Sequence, residues 1–479
     1  MINKKLQLLT YLSCVILFFI SFCCFAQNTK NLSNNTYKKR VLENSELEII
    51  SSFYTQDGDN AAVTGGIGNE ELTDLATNIL ISIPLNEDNI LKIDGTISAY
   101  TSASSSNLDP FDKSGASTGN PIGSPWASSS GASKSDVWTK GTLHYDHYSN
   151  NRKTQIGVHT SFAAEYDYTS FGFGGSLTKL YNKKNTALNL SFNIYFDKLK
   201  PQYPTEIDSY LEANQNLNNG FFRNINIYDQ NGAVINKENQ NAWKIHQQTL
   251  VNNKNRNSYS LSLQLSQILS KKTNFSIFLD VIHQKGWLAS PLQRVYFADI
   301  DNFYIGNPIS ISFYDSKDNK TVFQLADDIE RLPSTRIKIP IGAKLNYYFN
   351  EYLIIKSYYR FYNDNWGVHA HTVEIELPVK ILKKFTLYPN FRFYSQTRAT
   401  YFAPYEKLIS TSKYYTSDYD LSKFNSYQYG IGITYSDILT KTHIYKLGIK
   451  NIYLRFSSYK RTIDFKSNIV TTGIKFIIE

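Results

Sequence analysis

Charged side chains between Arg336 and Arg398 lie opposite an apolar row, in segments where apolar and polar residues alternate. Alternate residues of a strand share one face, so these charges are predicted to line one surface. Seven are basic and two are acidic: Lys338, Lys344, Lys356, Arg360, Glu374, Glu376, Lys380, Arg392 and Arg398. A surface with an excess of positive charge concentrates anions. The sequence therefore predicts a weak preference for anions. The alternative is that some of these charges lie at strand ends, pair with acidic loop residues and only keep those ends solvated.

Hard oxygen ligands of the kind that bind calcium lie close together at Asp57, Asp59 and Asn60. The segment lacks the further acidic positions and the terminal glutamate of a calcium loop, so the three are only weak candidates. The glycines at 65, 66 and 68 resemble a phosphate loop, but such a loop precedes a helix and no helical pattern follows. We therefore predict no metal site and no cofactor, and interpret the segment as a tight turn.

Histidine and serine residues offer no clear catalytic arrangement. His369 and His371 would share one strand face, a spacing that can hold a metal, but Val373 and Ile375 continue that face with apolar side chains. Several serines at 102–106 have no histidine at a suggestive spacing. Catalytic triads assemble in space, so an enzymatic activity stays open, while a non-enzymatic role is favoured and no catalytic residue is assigned.

The elements that would position these residues are β-strands. Leu261, Leu263 and Leu265 alternate with Ser260 and Ser262. In a soluble sheet the apolar row would face a core, whereas in a membrane barrel it faces lipid and the polar row faces a wet lumen. Counting such segments predicts about sixteen strands, within a range of about fourteen to eighteen.

The connections between these segments alternate between short polar turns and long loops. The long loops are predicted at residues 55–74, 102–135, 198–256, 287–335 and 399–423. Bacterial outer-membrane barrels have short periplasmic turns and long external loops, and a soluble sandwich has no reason to keep this alternation. The sequence therefore predicts a transmembrane antiparallel β-barrel. All five tryptophans fall on the long-loop side, where we expect them at the membrane interface.

The N-terminus predicts export. Lys4 and Lys5 precede an apolar stretch that ends in Cys24-Phe25-Ala26, the pattern of a secretory signal peptide. We predict a signal peptide at residues 1–26, a periplasmic tail at 27–45 and the barrel at 46–479. All three cysteines lie in the signal peptide, so the mature chain has no disulfide and no thiolate ligand.

The remaining composition excludes several classes of protein. The formal net charge is +9, but export and the shortness of the basic blocks, none longer than residues 38–40, argue against nucleic acid as a partner. No mature segment reaches the length of apolar chain that a transmembrane helix needs. Aromatic residues make up 15% of the chain, which is typical of an outer-membrane barrel.

Four stretches resemble the bacterial family known as domain of unknown function three-five-seven-zero. They are residues 54–72, "YTSASS" at 100–105, "QRVYFAD" at 293–299 and "ERLPSTR" at 330–336. The resemblance implies an outer-membrane barrel-like protein. It also implies, by gene neighbourhood alone, an envelope redox or electron-transfer system with a periplasmic lipoprotein or redox protein as partner. The chain has no cysteine pair or haem-attachment motif, so it would not carry electrons itself through such groups.

The function favoured by the sequence is a channel or conduit in the outer membrane, with membrane lipid as its surroundings. Two alternatives stay open: a structural anchor for other envelope proteins, and an outer-membrane hydrolase. The long connection at 198–256 is a candidate plug of the lumen. The transported solute, the partners and the oligomeric state are not determined by the sequence.

Overall fold

Sixteen antiparallel strands of the described residues hydrogen-bond in sequence order, and the first strand pairs with the last. β1 and β16 pair along their whole length, from Ser45 opposite Ile478 to Gly58 opposite Phe465. The sheet is therefore closed and has no free edge, which is the only way a sheet can satisfy its backbone inside a membrane. The predicted fold class, a transmembrane antiparallel barrel of about sixteen strands, is confirmed.

The computed structural model describes residues 38–68, 70–102, 104–105, 129–130, 136–249, 251, 254–314 and 322–478. The predicted signal peptide lies outside the described residues. The strands are β1 Ser45–Gly58, β2 Leu72–Pro84, β3 Asn89–Ser102, β4 Asp136–Tyr148, β5 Thr154–Ala164, β6 Tyr168–Tyr181, β7 Thr186–Leu199, β8 Asn255–Ser270, β9 Thr273–Gly286, β10 Thr335–Tyr348, β11 Ile354–Asp364, β12 His369–Glu376 with Val379–Leu382, β13 Phe385–Leu387 with Asn390–Gln396, β14 Phe424–Ser436, β15 Leu447–Arg461 and β16 Phe465–Ile478.

Two strands are interrupted, and proline explains both breaks. Pro378 lies in the break of β12 and Pro389 in the break of β13. Proline has no backbone N–H to donate to the ladder. The partner groups are still satisfied, because the Pro389 carbonyl accepts from the Leu377 amide at 2.9 Å. The wall is thus continuous, with a local kink that places Tyr388 between the two halves of β13.

The alternation of side chains has the predicted orientation. Leu261, Leu263 and Leu265 are 51%, 43% and 38% exposed, whereas Ser262 between them is fully buried. The same contrast recurs around the barrel, as between Phe53 and Tyr54 on β1. A surface that displays large apolar residues on strand after strand is stable against lipid rather than water. Among the described residues, no helix is long and apolar enough to cross a membrane.

The two ends of the barrel differ in their connections. The short-turn end carries the connections 85–88, 149–153, 182–185, 271–272, 349–353, 383–384 and 437–446. The long-loop end carries 59–71, 103–135, 165–167, 200–254, 287–334, 365–368, 397–423 and 462–464. Both ends of the barrel chain, Ser45 and Ile478, lie at the short-turn end.

The long loops pack into a body with an apolar core of its own. We call the described residues of connections 200–254, 287–334 and 397–423 the loop body. It contains helix α1, Thr205–Glu212, and three short two-stranded ladders lie in the long connections. Its core consists of Ile207, Tyr210, Leu217, Phe222, Ile227, Trp243, Ile245, Tyr296, Phe303, Leu325, Ala326 and Ile329.

The four tryptophans among the described residues lie at the long-loop end, as predicted, but their expected role at the membrane interface is wrong for three of them. Trp138, Trp243 and Trp366 are only 5%, 2% and 2% exposed. The indole of Trp243 donates to the Ala326 carbonyl at 3.0 Å inside the loop body. Trp243 thus belongs to the core of the loop body, whereas Trp138 packs against Tyr100 and Ala163 of the barrel wall. Trp126 lies outside the described residues.

Candidate functional site

The inward face of β10 to β13 carries charged side chains at one level of the wall. Lys344 lies opposite Tyr358, Tyr358 opposite Glu374, and Glu374 opposite Arg392. Neighbouring strands are about 4.8 Å apart, so these side chains follow one another around the lumen. The register of four strands therefore assembles residues that are far apart in sequence into one charged arc.

A cavity of about 380 Å³ lies along this arc, in the half of the barrel toward the short-turn end. We call it the luminal cavity. Three bases, two acids, three tyrosines and smaller polar residues line it: Lys344, Lys356, Arg455, Glu374, Glu376, Tyr358, Tyr388, Tyr453, Asn346, Ser357 and Thr434. Its volume is in the range of small-molecule sites.

One acid in the luminal cavity is shared by two bases. The Oε1 atom of Glu376 lies 3.0 Å from the Lys356 ammonium, and its Oε2 atom lies 3.0 Å from Nη1 of Arg455. Both cations also make cation–π contacts with the Tyr388 ring. The Arg455 guanidinium carbon lies 5.0 Å from the ring centroid and the Lys356 nitrogen 5.9 Å from it. This group of three charges retains a net positive charge.

Lys344 is held by rings instead of by a carboxylate. Phe278 and Tyr358 stack with centroids 5.7 Å apart and planes 12° apart. The Lys344 nitrogen lies 5.6 Å from the first centroid and 5.7 Å from the second. Within the described part of the chain, no carboxylate oxygen approaches it within 4.0 Å. Contact with rings orients an ammonium group but does not neutralise it.

Three neighbours of Lys344 on the wall also have no ion pair within the described residues: Arg360, Glu374 and Arg392. The Nε atom of Arg360 is buried without an acceptor. An ionised group without a partner is costly in a dry interior. These side chains therefore indicate a lumen that holds water or a polar solute.

The predicted lumen-lining residues occupy different places. Lys344, Lys356, Glu374 and Glu376 line the luminal cavity, and Arg360 and Arg392 lie on the adjoining wall. Lys338 lies near the long-loop end, opposite Asp364. Lys380 is exposed near the short-turn end, and Arg398 is exposed beyond the last residue of β13.

Sequence reasoning predicted four of the eleven residues that line the luminal cavity and missed seven, among them Tyr388, Tyr453 and Arg455. Tyr453 and Arg455 alternate with Ile452, Leu454 and Phe456, so the rule that predicted the other charges would have placed them inward. Tyr388 gave no such signal, because the prolines on either side of the β12–β13 turn interrupt the alternation.

The weak metal candidates are engaged in other contacts. Asp57 forms an ion pair with Lys466 at 2.8 Å. The backbone amide of Asp59 donates to the Asp464 carbonyl, and that of Asn60 donates to Glu70. Within the described residues, no group of three or more histidine, cysteine or acidic side chains converges in a way that could hold a metal ion.

The loop body contrasts with the luminal cavity because two of its arginines are paired with buried carboxylates. Arg294 meets Glu206 through two parallel contacts of 2.7 and 3.0 Å, and its Nη1 donates to the Val63 carbonyl at 2.9 Å. Arg331 and Asp328 make a similar double contact at 2.9 and 3.0 Å. Bidentate pairs of this kind are strong and fix geometry.

The bond from Arg294 to Val63 crosses the opening of the barrel. Val63 belongs to the connection between β1 and β2, and Arg294 to the connection between β9 and β10. These strand pairs are half the ring apart in a barrel of sixteen strands. Contacts between their loops therefore span the mouth, so that the loop body covers the long-loop end.

Two acids, Glu330 and Asp418, lie next to Gln293, the neighbour of Arg294 in the chain. Gln293 donates to Asp418 at 3.2 Å, and Glu330 accepts from the Ser290 amide at 2.6 Å. Burial raises the pKa of Glu330 to about 8, with a further contribution from the Asp418 charge. Burial likewise raises the pKa of Asp418 to about 7, with a contribution from Asp420. Burial thus favours the protonated form of both acids near neutral pH.

Three of the stretches that carry the family resemblance meet in this network. Val63 belongs to the stretch 54–72, Gln293 and Arg294 to 293–299, and Glu330 to 330–336. The Glu330 amide donates to the Gln293 carbonyl at 3.0 Å. The family whose description is "Protein of unknown function (DUF3570)" matches residues 16–463. The chain belongs to this family. The expectation from the four stretches is confirmed.

Solved structures similar to this DUF3570 protein are barrels of the outer membrane. A bacterial polysaccharide outer membrane secretin is 9% identical with a TM-score of 0.40, and the match covers 91% of this chain and 98% of that one. The outer membrane protein OpdK from Pseudomonas aeruginosa is 8% identical with a TM-score of 0.35, covering 91% and 99%. A Pseudomonas aeruginosa FadL homologue is 8% identical with a TM-score of 0.37, covering 91% of each chain. No curated protein matches this DUF3570 chain.

Proposed function

We propose that this protein is an outer-membrane conduit for small solutes. The observation that carries the proposal is the luminal cavity, in which Lys344 and Glu374 face the interior of a closed barrel without ion pairs among the described residues. A protein that served only as an anchor would gain nothing from uncompensated charges inside its wall, because they weaken a packed interior. A conduit needs such groups to keep its lumen wet.

The same architecture supports a proposed location in the outer membrane and a proposed orientation. The apolar outer rows would contact membrane lipid, and the short turns would face the periplasm while the loop body faces outward. Export by the predicted signal peptide would deliver the chain to this membrane.

The loop body would limit entry from outside. Its contacts span the mouth and its two arginine–carboxylate pairs hold the loops together, so a solute could enter only between the loops or after they open. Loops that cover a site commonly control passage in this way. The luminal cavity would then lie farther along the path, in the half of the barrel toward the short-turn end.

Conductance in planar lipid bilayers tests the proposal. The purified protein, shown to be folded by a heat-dependent shift in gel mobility, should produce discrete current steps in potassium chloride. Folded, inserted protein that produces no steps at any voltage would contradict the conduit and favour the anchor. The matched control is protein that was unfolded before it was mixed with lipid.

A further inference from the structure

The charges of the luminal cavity do not balance. Lys344, Lys356 and Arg455 face Glu374 and Glu376, which leaves one positive charge in excess. Arg392 and Arg360 on the adjoining wall add two positive charges. Two acids near the cavity, Asp280 beside Lys344 and Glu48 beside Tyr453, offset them, so the excess stays at one. A cavity with this balance attracts a solute that bears one negative charge.

Several hydrogen-bonding groups in the luminal cavity lack partners within the described residues. Arg455 donates to Glu376 through Nη1 alone, so its other nitrogens remain available. The Tyr453 hydroxyl is buried without a partner, and the Asn346 side-chain amide makes no hydrogen bond. Buried polar groups are normally satisfied, so unpaired groups around one space indicate that a ligand or water completes them.

The same space offers apolar surface. Tyr358, Tyr388 and Tyr453 present their rings to it. The Tyr388 ring supports the Arg455 guanidinium 5.0 Å from its centroid. Rings contribute little to the binding of an inorganic ion but pack well against a small organic body. The nearby carboxylate of Glu374 would repel a dianion more than a monoanion.

We propose that the luminal cavity binds small organic monocarboxylates, with Lys344 as the main cation that receives the carboxylate. The organic body would lie against the tyrosine rings, and Arg455 would donate the second contact. This inference deepens the proposed conduit function and rests on it for its physiological meaning. The cavity of about 380 Å³ limits the ligand to a single small molecule.

Equilibrium binding to the full-length mature barrel in detergent micelles tests this inference without any need for conduction. Isothermal titration calorimetry would compare benzoate with benzyl alcohol and benzylamine, which share a ring and differ in charge. The expected result is saturable binding of benzoate, with the neutral and cationic probes at least about ten-fold weaker, because each lacks the contact to Lys344. Equal affinities for the three probes would overturn the inference.

The variant Lys344→Gln removes the charge and keeps a polar side chain of similar length. It should weaken benzoate about ten-fold, and Lys344→Arg should restore most of the affinity. The matched control Lys380→Gln makes the same change at an exposed position outside the luminal cavity, and should leave affinity unchanged. An unchanged affinity in Lys344→Gln, or no rescue by arginine in a folded variant, would contradict the assignment.

Glu374→Gln distinguishes a monocarboxylate from inorganic phosphate. The wild type should bind phosphate more weakly than benzoate, and Glu374→Gln should strengthen phosphate more than benzoate because the dianion gains twice the electrostatic benefit. Stronger binding of phosphate than of benzoate to the wild type would overturn the proposed ligand class.

The experiments give different results if the proposed ligand class is wrong and if the proposed conduit function is wrong. Protein that conducts but binds no benzoate would refute the ligand class alone. Protein that binds benzoate through Lys344 but never conducts would refute the conduit and leave the binding site standing.

Discussion

The loop body and the luminal cavity differ in whether their charged side chains form ion pairs. Arg294 and Arg331 in the loop body each make a double contact with one carboxylate, and the Glu206 and Asp328 side chains that they meet are almost fully buried. Lys344 and Glu374 in the luminal cavity have no such partner within the described residues. Paired charges fix a structure, whereas unpaired charges in contact with water remain available to a solute. From this difference we infer that the loop body closes the mouth of the barrel and that the luminal cavity recognises the solute.

The largest expected effect comes from breaking a pair in the loop body. Arg294→Met leaves the Glu206 carboxylate buried without its guanidinium and removes the bond to Val63 across the mouth. Loss of one partner of a buried pair costs about 3–5 kcal/mol. The free energy of opening the loop body, measured by amide hydrogen exchange at α1, should fall by that amount, and single-channel conductance should rise.

The comparison variant is Lys356→Met in the luminal cavity. The Lys356 side chain is 44% exposed, and Arg455 still neutralises Glu376. The loss in stability should stay within about 1 kcal/mol. Equal losses in the two variants would show that the two regions do not differ in this way.

A pH change should act on the loop body before it acts on the barrel. The folded-state pKa values of Glu330 and Asp418, about 8 and about 7, lie above the ordinary values of 4.5 and 3.8. An acid with a raised folded-state pKa stabilises the fold below its ordinary pKa, and that stabilisation is lost as pH rises toward the folded-state pKa. The loop body should therefore be more stable at pH 5 than at pH 8.

Amide exchange of the loop body, corrected for the intrinsic rate at each pH, measures this dependence. Protection should fall by up to about ten-fold per pH unit for each acid between its two pKa values. Glu330→Gln keeps the hydrogen-bonding shape without the charge and should flatten the profile. A loop body whose protection rises from pH 5 to pH 8 would contradict the assignment.

A smaller effect is expected for ion selectivity. Arg360→Ser with Arg392→Ser removes two unpaired charges from the luminal wall, and should move the reversal potential in a salt gradient toward cation preference. The shift should be mild, because screening acts over about 8 Å at physiological salt. Arg398→Ser is the control, since this exposed residue follows β13. If the reversal potential shifts as much in the control as in the double variant, Arg360 and Arg392 do not line the conducting path.

Much of the barrel could be predicted from alternation alone. The apolar row at Leu261, Leu263 and Leu265 fixed which face of β8 points outward, because lipid and lumen impose opposite polarity on neighbouring residues. The same rule would have placed Arg455 inward. Strand neighbours are adjacent in the chain, so the register that brings Glu376 to Lys356 depends on only one short turn.

The contacts within the loop body could not be predicted from alternation. Its contacts join Val63 to Arg294 and Trp243 to Ala326, and no local periodicity encodes pairings across such sequence distances. For the same reason the tryptophans were predicted at the membrane interface. A long polar loop with scattered aromatic residues gives no sign of whether those rings meet lipid or each other.

Cysteine modification during single-channel recording tests the central claim, that the luminal cavity lies on the path of the solute. The mature chain has no cysteine if the signal peptide is removed, so Lys344→Cys would be its single thiol. Leu345→Cys is the matched control, because Leu345 is 40% exposed on the outer face. A negatively charged thiosulfonate reagent should reduce the current through Lys344→Cys and leave Leu345→Cys unchanged. Complete modification of Lys344→Cys, verified by mass spectrometry, with no change in current would contradict the account.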